Sequence, residues 1–285
     1  MLISIIIPHR NDTCNLTRLI NSIESFDDIE VIIIDDHSNV EEKDKLKQLA
    51  ITIKKIQIYH NNTEIISAGR ARNIGLTHAR GQWIIFADSD DLFLQGWQNI
   101  IYEEINTDAD IIHFKPTSYD YELNRISTRH LAYCKLIDKY LKKSSKDNEM
   151  RLRTKFYPAW SKIYSKKFIE TNNIIFEEVV CSNDIMFTLR AGLLAKEIKV
   201  CDSSFYSVSS RIGSLTNQKT ENDSIVRYKV FLRSQELLRE SLSSHEYKIC
   251  KSLKLRWVYR GLKNKHSLHF FWMVLKSLYN PKMET

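Results

Sequence analysis

Between Ser67 and Asp91 the chain reads Ser-Ala-Gly-Arg-Ala-Arg-Asn-Ile-Gly, Leu-Thr-His-Ala-Arg-Gly, Gln-Trp-Ile-Ile-Phe-Ala and then Asp-Ser-Asp-Asp. This stretch constrains the fold more than any other. Ala68, Ala71 and Gly75 fall at a close-packing helical spacing, Gly81 marks a turn, and Trp83 to Ala87 is a short apolar run bounded by polar residues, hence a buried strand. Asp88, Asp90 and Asp91 then stand where a parallel strand ends, and ligands of open α/β sheets bind outside that carboxyl edge. Clustered carboxylates repel one another unless a cation lies among them. Hard oxygen donors suit magnesium or manganese, which in turn bridge phosphate oxygens. The tip therefore reads as a metal and diphosphate site; the plainer alternative is a solvated acidic turn that caps the next helix.

The preceding residues repeat the pattern. Leu2 to Ile7 is an apolar run of the kind buried on both faces of a parallel sheet, and Pro8 ends it. Leu16, Leu19, Ile20 and Ile23 predict an amphipathic helix over 15–25, with Asp12 or Thr13 as its cap. Ile29 to Ile34 is a second strand ending in Asp35-Asp36-His37-Ser38-Asn39. A charged helix over 40–49 then leads to a third strand over 51–59. Strands alternating with helices predict a doubly wound α/β sheet, and the polar clusters at Arg10-Asn11, Asp35-Asp36 and Asp88–Asp91 share one of its edges.

Composition narrows the class. With 285 residues, 43% of them hydrophobic and 27% charged, the chain can bury a full core and is not disordered. Five widely separated cysteines without a Cys-x-x-Cys argue for free thiols in a reducing compartment, so a cytoplasmic location is expected. The N-terminus lacks a basic leader and reads as a strand instead of a signal peptide. Nor does any run approach the ~20 apolar residues that cross a bilayer. The net charge of +7 is concentrated: residues 245–285 carry nine Lys/Arg against two Glu, leaving 33 of each sign before them. That excludes a nucleic-acid-binding main domain and predicts a neutral body with a basic appendage.

A strand ending in Pro, a strand ending in Asp-Asp-x-Ser, Gly-x-x-Arg-Asn-x-Gly and Phe-x-Asp-Ser-Asp-Asp, in this order, resemble a family 2 glycosyltransferase of the GT-A fold. The resemblance covers about the first 215 residues and implies an inverting enzyme that takes a sugar from a nucleoside diphosphate, usually uridine, with a divalent metal, Mn²⁺ or Mg²⁺. It implies that Pro8 and Asn11 border the nucleoside pocket, that Asp36 accepts a hydrogen bond from the base, and that Asp35 shapes that pocket. His37 stands where Gly is common, and Arg10 where an aromatic residue is. Arg72 and Asn73 match the family's Arg-Asn pair, and a guanidinium suits phosphate. Arg70 adds a second cation, Asp88 contacts the ribose, Ser89 lies with it in the donor site, and Asp90 holds the metal.

Pro158-Ala-Trp-Ser-Lys-Ile-Tyr and Ser182-Asn-Asp-Ile-Met-Phe are similar to the Trp-x-Lys-Leu-Tyr and Glu-Asp-x-x-Phe blocks of capsule and lipopolysaccharide transferases. By that resemblance Asp184 is the catalytic base, Asn183 replaces the usual Glu, and Arg211 and Ser214 belong to a segment closing over the donor diphosphate. The implied reaction moves a hexosyl or N-acetylhexosaminyl group to a surface or lipid-linked glycan. Residues 142–153 are charged and without period, which predicts an exposed loop on the acceptor side.

Residues 1–215 are thus expected to be the GT-A domain and 216–285 a basic helical extension. Aromatic residues interleaved with Lys and Arg there suit an anionic membrane surface, while packing on the domain or on a second copy is the alternative. Two rival functions stay open: a sugar nucleotidyltransferase, although Pro8-His-Arg-Asn-Asp12 is not the Gly-rich loop it needs, and a module that binds sugar nucleotide or glycan without turnover.

Overall fold

The structure is a computed structural model that describes residues 1–24, 27–53, 55–121, 123–210 and 220–279. Its first half follows the predicted alternation: β1 (Ile3–His9), α1 (Thr13–Asn21), β2 (Ile29–Asp35), α2 (Val40–Thr52), β3 (Ile56–His60), α3 (Ala68–His78) and β4 (Trp83–Phe86). The apolar runs become the buried parallel strands β1, β2 and β4, because every second side chain goes to one of two cores. Ile3, Ile5 and Ile7 of β1 pack with α1, α2 and a later helix on one face. Ile6 meets Ala71 of α3 on the other. Asp12, Asn39 and Ser67 cap α1, α2 and α3 by accepting from the backbone N–H of Asn15, Glu42 and Arg70.

The chain continues through β5 (Leu92–Phe93), α4 (Trp97–Glu104), β6 (Ile111–Phe114), β7 (Thr117–Asp120), β8 (Arg125–Ile126), α5 (Leu131–Lys142) and α6 (Lys146–Lys155). Then come β9 (Lys162–Ser165), α7 (Lys166–Thr171), α8 (Asp184–Leu194), β10 (Ile198–Cys201) and β11 (Tyr206–Ser210). The main sheet has the order β10-β6-β9-β4-β1-β2-β3, parallel except for β9. Strand order reverses between β1 and β4, which makes the crevice beyond their carboxyl ends the switch point. A small sheet, β5-β11-β7-β8, sets β11 under the acidic tip. The α/β architecture with a mostly parallel sheet flanked by helices is the one the resemblance implied.

Several boundaries differ from the expectation: β1 does not end at Pro8 but pairs with β2 through His9, beyond the last residue paired with β4, and α1 spans Thr13–Asn21 and not 15–25, because Asp12 caps it. α2 runs through Ile51 and Thr52, so β3 starts only at Ile56; these two β-branched residues favour a strand locally, and the helix carries on through them. Residues 142–153 are not an exposed loop: most of them form α6, packed against α5 and α8. Ser145 caps it, Glu149 takes the Nε of Arg153 at 2.7 Å, and the Arg153 Nη1 donates to the carbonyls of Gly192 and Ala195 at 3.0 and 2.6 Å. Arg153 thereby closes the C-terminal end of α8, and charges spent on partners leave no apolar period to read.

The extension comprises α9 (Glu221–Ser241), α10 (Ser244–Cys250), α11 (Leu255–Lys263) and α12 (Leu268–Tyr279). Tyr228, Trp257, Phe270, Met273 and Val274 give it a small core of its own, while Leu238 and Cys250 pack on Leu189 of α8. The expected boundary at 215/216 lies among residues 211–219, outside the described residues. All five cysteines are unpaired, and among the described residues no helix is long and apolar enough to cross a membrane.

Candidate active site

A cavity of about 470 Å³ opens at the switch point. The end of β1 contributes Pro8 and His9, the loop after it Arg10, the residue after β2 is Asp36, α3 contributes Arg72, and the loop after β4 contributes Asp88 and Ser89. Asp36 is buried, and its Oδ1 accepts from the Asn61 Nδ2 at 2.7 Å. His37 has φ 62°, the left-handed conformation for which Gly is favoured, and its Nε2 donates to the Thr63 carbonyl at 2.7 Å. That bond holds a non-glycine residue in this turn.

Asp35 and Asn11 build the loops behind the cavity. The Asp35 carboxylate accepts from the Ser38 N–H and the His60 Nδ1, each at 3.2 Å. Asn11, at φ 53°, donates its N–H to the Ser38 Oγ at 2.9 Å and accepts the Asn39 N–H at 2.8 Å. It borders a separate groove between α1 and α2. His9 is a residue the sequence did not single out: it is fully buried in the cavity wall, both ring nitrogens lack a partner, and burial lowers its pKa.

The motif on α3 is a packing device first. A Cβ on Gly69 would stand 2.1 Å from the Glu177 carbonyl oxygen, and one on Gly75 would stand 2.4 Å from the Ile6 Cγ2. Glycine at both lets α3 lie against β1 and against the 176–183 segment. Asn73 clamps that segment, accepting the Phe176 N–H at 2.8 Å and donating to its carbonyl at 3.0 Å. Arg70 pairs with Glu178 at 3.1 Å. Neither Arg70 nor Asn73 is among the cavity residues, whereas Arg72 is. The Arg72 Nη2 lies 2.5 Å from the Asp88 Oδ1 and its Nη1 donates to the Asn183 Oδ1 at 2.7 Å. Arg72 therefore ties α3, the acidic tip and the start of α8 together.

β11 supports the tip from below. The Tyr206 hydroxyl accepts from the Asp88 N–H at 2.8 Å and donates to the Asp91 Oδ2 at 2.9 Å, while the Ser209 N–H reaches the Asp91 Oδ1 at 2.7 Å. The Asp90 carbonyl accepts from the Arg18 Nη2 at 2.8 Å and from the Ser209 hydroxyl. Asp91 is buried, and burial, followed by the charges of Asp90 and Asp88, pushes its carboxyl well above the ordinary range.

No group of three or more metal-type side chains occurs among the described residues. Asp88 lines the cavity while Asp90 is not among its lining residues, and these two carboxylates of the tip are the hard oxygen donors that would hold a divalent ion such as magnesium or manganese. Arg211 and Ser214 lie outside the described residues.

Asp184 opens α8 and faces the same cavity. Burial raises its pKa, Arg72 works in the opposite direction, and Asp88 adds to the rise. A second cavity of about 460 Å³ meets the first at Asp88, Ser182, Asp184 and Arg227. Tyr133, Tyr157, Trp160 and the helices α9 and α11 line it. Beneath lies Lys162, buried, donating to the carbonyls of Phe156 and, at 2.8 Å, Pro158. Burial draws its amine down to about 7, with the Asp184 charge opposing.

A switch-point crevice with carboxylates at the ends of β2 and β4 and at the start of α8, on this sheet, defines the GT-A class of fold. Residues 4–172 match the profile of glycosyl transferase family 2, and the chain belongs to that family. It is 26% identical over 229 residues to an uncharacterized glycosyltransferase, EpsJ, of Bacillus subtilis, covering 75% of this chain and 63% of that one. It is also 26% identical over 227 residues to the poly(ribitol-phosphate) β-N-acetylglucosaminyltransferase TarS of Staphylococcus aureus, covering 75% of this chain but 36% of TarS. The chain thus spans between about a third and two thirds of these relatives.

Among solved structures, S. aureus TarS 1–349 in complex with UDP-GlcNAc superimposes with a TM-score of 0.68 at 19% identity, over 92% of this chain and 73% of that one. The Pyrobaculum calidifontis mannosyltransferase PcManGT with GDP-Man and Mn²⁺ does so with a TM-score of 0.64 at 12% identity, over 98% and 81%.

Proposed function

We propose that this protein is an inverting, metal-assisted glycosyltransferase that moves a hexosyl or N-acetylhexosaminyl group from a uridine diphosphate sugar to a hydroxyl of a surface polysaccharide, lipopolysaccharide or lipid-linked glycan. The observation that carries this is the position of Asp184, at the junction of a polar cavity on the sheet edge and a second, aromatic cavity. The donor occupies the first and the acceptor the second. Asp36 receives the base, and Asp88 the ribose. Asp90, with Asp88 beside it, would hold a manganese or magnesium ion, whose charge would neutralise the diphosphate. The acceptor oxygen attacks the anomeric carbon, its proton passes to Asp184, and the opposite carbon–oxygen bond breaks with its electron pair leaving on the diphosphate. A UDP-GlcNAc complex of one structural neighbour and a Mn²⁺ complex of another support the donor and metal assignments.

Calorimetric titration with UDP and GDP, with and without manganese, tests the donor half. UDP is expected to bind in a manganese-dependent way and to raise the melting temperature. Asp90→Ala should remove the manganese dependence and Asp36→Ala the preference for uracil. Equal binding with a chelator present would overturn the metal assignment.

The exposed residues of the extension support a location at an anionic membrane face. Leu255, Tyr259 and Leu262 on α11, and Leu268, Trp272 and Leu275 on α12, recur at i, i+4, i+7 and are exposed. Lysines flank both stripes, the composition of an interfacial helix pair. The protein is expected to sediment with phosphatidylglycerol vesicles and not with phosphatidylcholine, and Trp272→Ser should weaken this severalfold. A dimer in light scattering that the same substitution dissolves would assign the stripes to a second copy instead.

A further inference from the structure

We infer that the acceptor itself is anionic, a glycan or polyol carrying a phosphate or carboxylate that sits against Arg256 and Arg260 while its hydroxyl faces Asp184. This rests on the assignment of the second cavity to the acceptor. Four guanidinium-bearing residues, Arg129, Arg227, Arg256 and Arg260, line that cavity, and the acidic residues lining it are Asp88 and Asp184. Asp88 is already paired with Arg72. The wall is therefore negative where the proton is taken and positive toward α11.

The cations crowd one another. Arg260 lies over the Trp257 ring at 4.9 Å, and burial, then Arg256 and Arg227, lower its pKa. Lys155, bonded to the Ser252 Oγ at 2.9 Å beside the cavity, is lowered by burial and by Arg256 and Arg151 in turn. Arg256 and Arg260 keep an exposed side, and like charges gathered along one wall are unfavourable alone and favourable around an anion, which guanidinium groups take in bidentate fashion.

The arrangement on α11 is consistent with one purpose per face. At 100° per residue, Arg256, Trp257 and Arg260 group on the side that lines the cavity, and Leu255, Tyr259 and Leu262 on the opposite side. The donor diphosphate is the other anion at hand. Arg227 lines both cavities and is open to that use, but Arg256 and Arg260 line the second alone. Aromatic residues on the same wall, Tyr133, Tyr157 and Trp160, offer faces for the sugar or polyol body. Burial, and then the Asp184 charge, push the Tyr133 hydroxyl up to about 12, so it stays a donor at neutral pH.

The test is calorimetric titration of the full chain, with UDP and manganese in excess, using glucose 6-phosphate, glucuronate and glucose as probes at low salt. At least one acidic sugar is expected to bind where glucose does not, and to bind more weakly as salt rises. Arg256→Gln with Arg260→Gln should weaken it about tenfold or more. Arg256→Gln alone serves as the second variant, because Arg260 also packs on Trp257. Tighter binding of the phosphate ester names a phosphorylated acceptor, and of glucuronate a uronic one. The inference is overturned if the acidic sugars bind no better than glucose, or if the variants bind them as well as the wild type. Failure of UDP to bind while the arginine-dependent anion binding persists would remove the donor assignment and leave this one standing.

Discussion

Asp184→Asn is expected to lower sugar transfer by about 10²- to 10⁴-fold, the range a positioned general base contributes, with nucleotide binding unchanged. The amide keeps the size and shape of the carboxyl at the first position of α8, and its oxygen can still accept the backbone hydrogen bond that the Asp184 carboxyl takes from its own N–H. Stability should not fall. A carboxyl whose pKa is raised by burial favours the protonated, neutral form in the folded state, so its ionisation works against folding as pH rises above the unfolded value. A neutral amide escapes that cost, and the variant's melting temperature at neutral pH should equal or exceed the wild type's. Activity needs the ionised form. It should therefore fall on acidification through a pKa above the usual carboxylate range, and Asp184→Asn should abolish that acid limb. Unchanged turnover in the variant would sink the base assignment.

The sheet was legible because buried parallel strands are written as apolar runs, and the polar residues that end them mark its functional edge without any knowledge of packing. Pro8, Asp36, Asp88, Ser89 and Asp184, singled out through their motifs, all meet in one cavity. What remained hidden depends on contacts distant in sequence. Arg72 and Asn183 are 111 residues apart, and the Tyr206 and Ser209 supports of Asp91 lie 115 and 118 residues from it. Arg70 and Asn73 share a motif with Arg72, yet a helix turns each side chain about 100° from the last, and these two clamp the neighbouring segment. His9 is marked in the sequence only as a polar residue that closes a strand next to Pro8. The arginines of α11 were visible as tail charge, but their placement beside Asp184 needs the extension folded back over the domain.

Arg72→Ala should be the most damaging change outside the base itself, because one guanidinium serves two partners. Its loss strands the Asp88 carboxylate and removes the donor to Asn183, the residue next to Asp184. The pair is only part-buried, since the Asp88 side chain is 33% exposed, so the cost of breaking it falls below the roughly 3–5 kcal/mol of a fully buried pair. The part expressed in the transition state corresponds to about 10²- to 10³-fold in rate. A merely structural effect would leave the pH profile in place. Here the profile should move: Arg72 lowers the Asp184 pKa and Asp88 raises it, so removing the cation lets the pKa rise and shifts the acid limb to higher pH. Arg72→Lys keeps the charge while giving up the fork geometry, and is expected to lose less rate with the limb nearly unmoved. In an Asp184→Asn background the added cost of Arg72→Ala should shrink markedly, since the charge it tunes is gone. Full additivity of the two substitutions would mean that Arg72 acts on the donor alone.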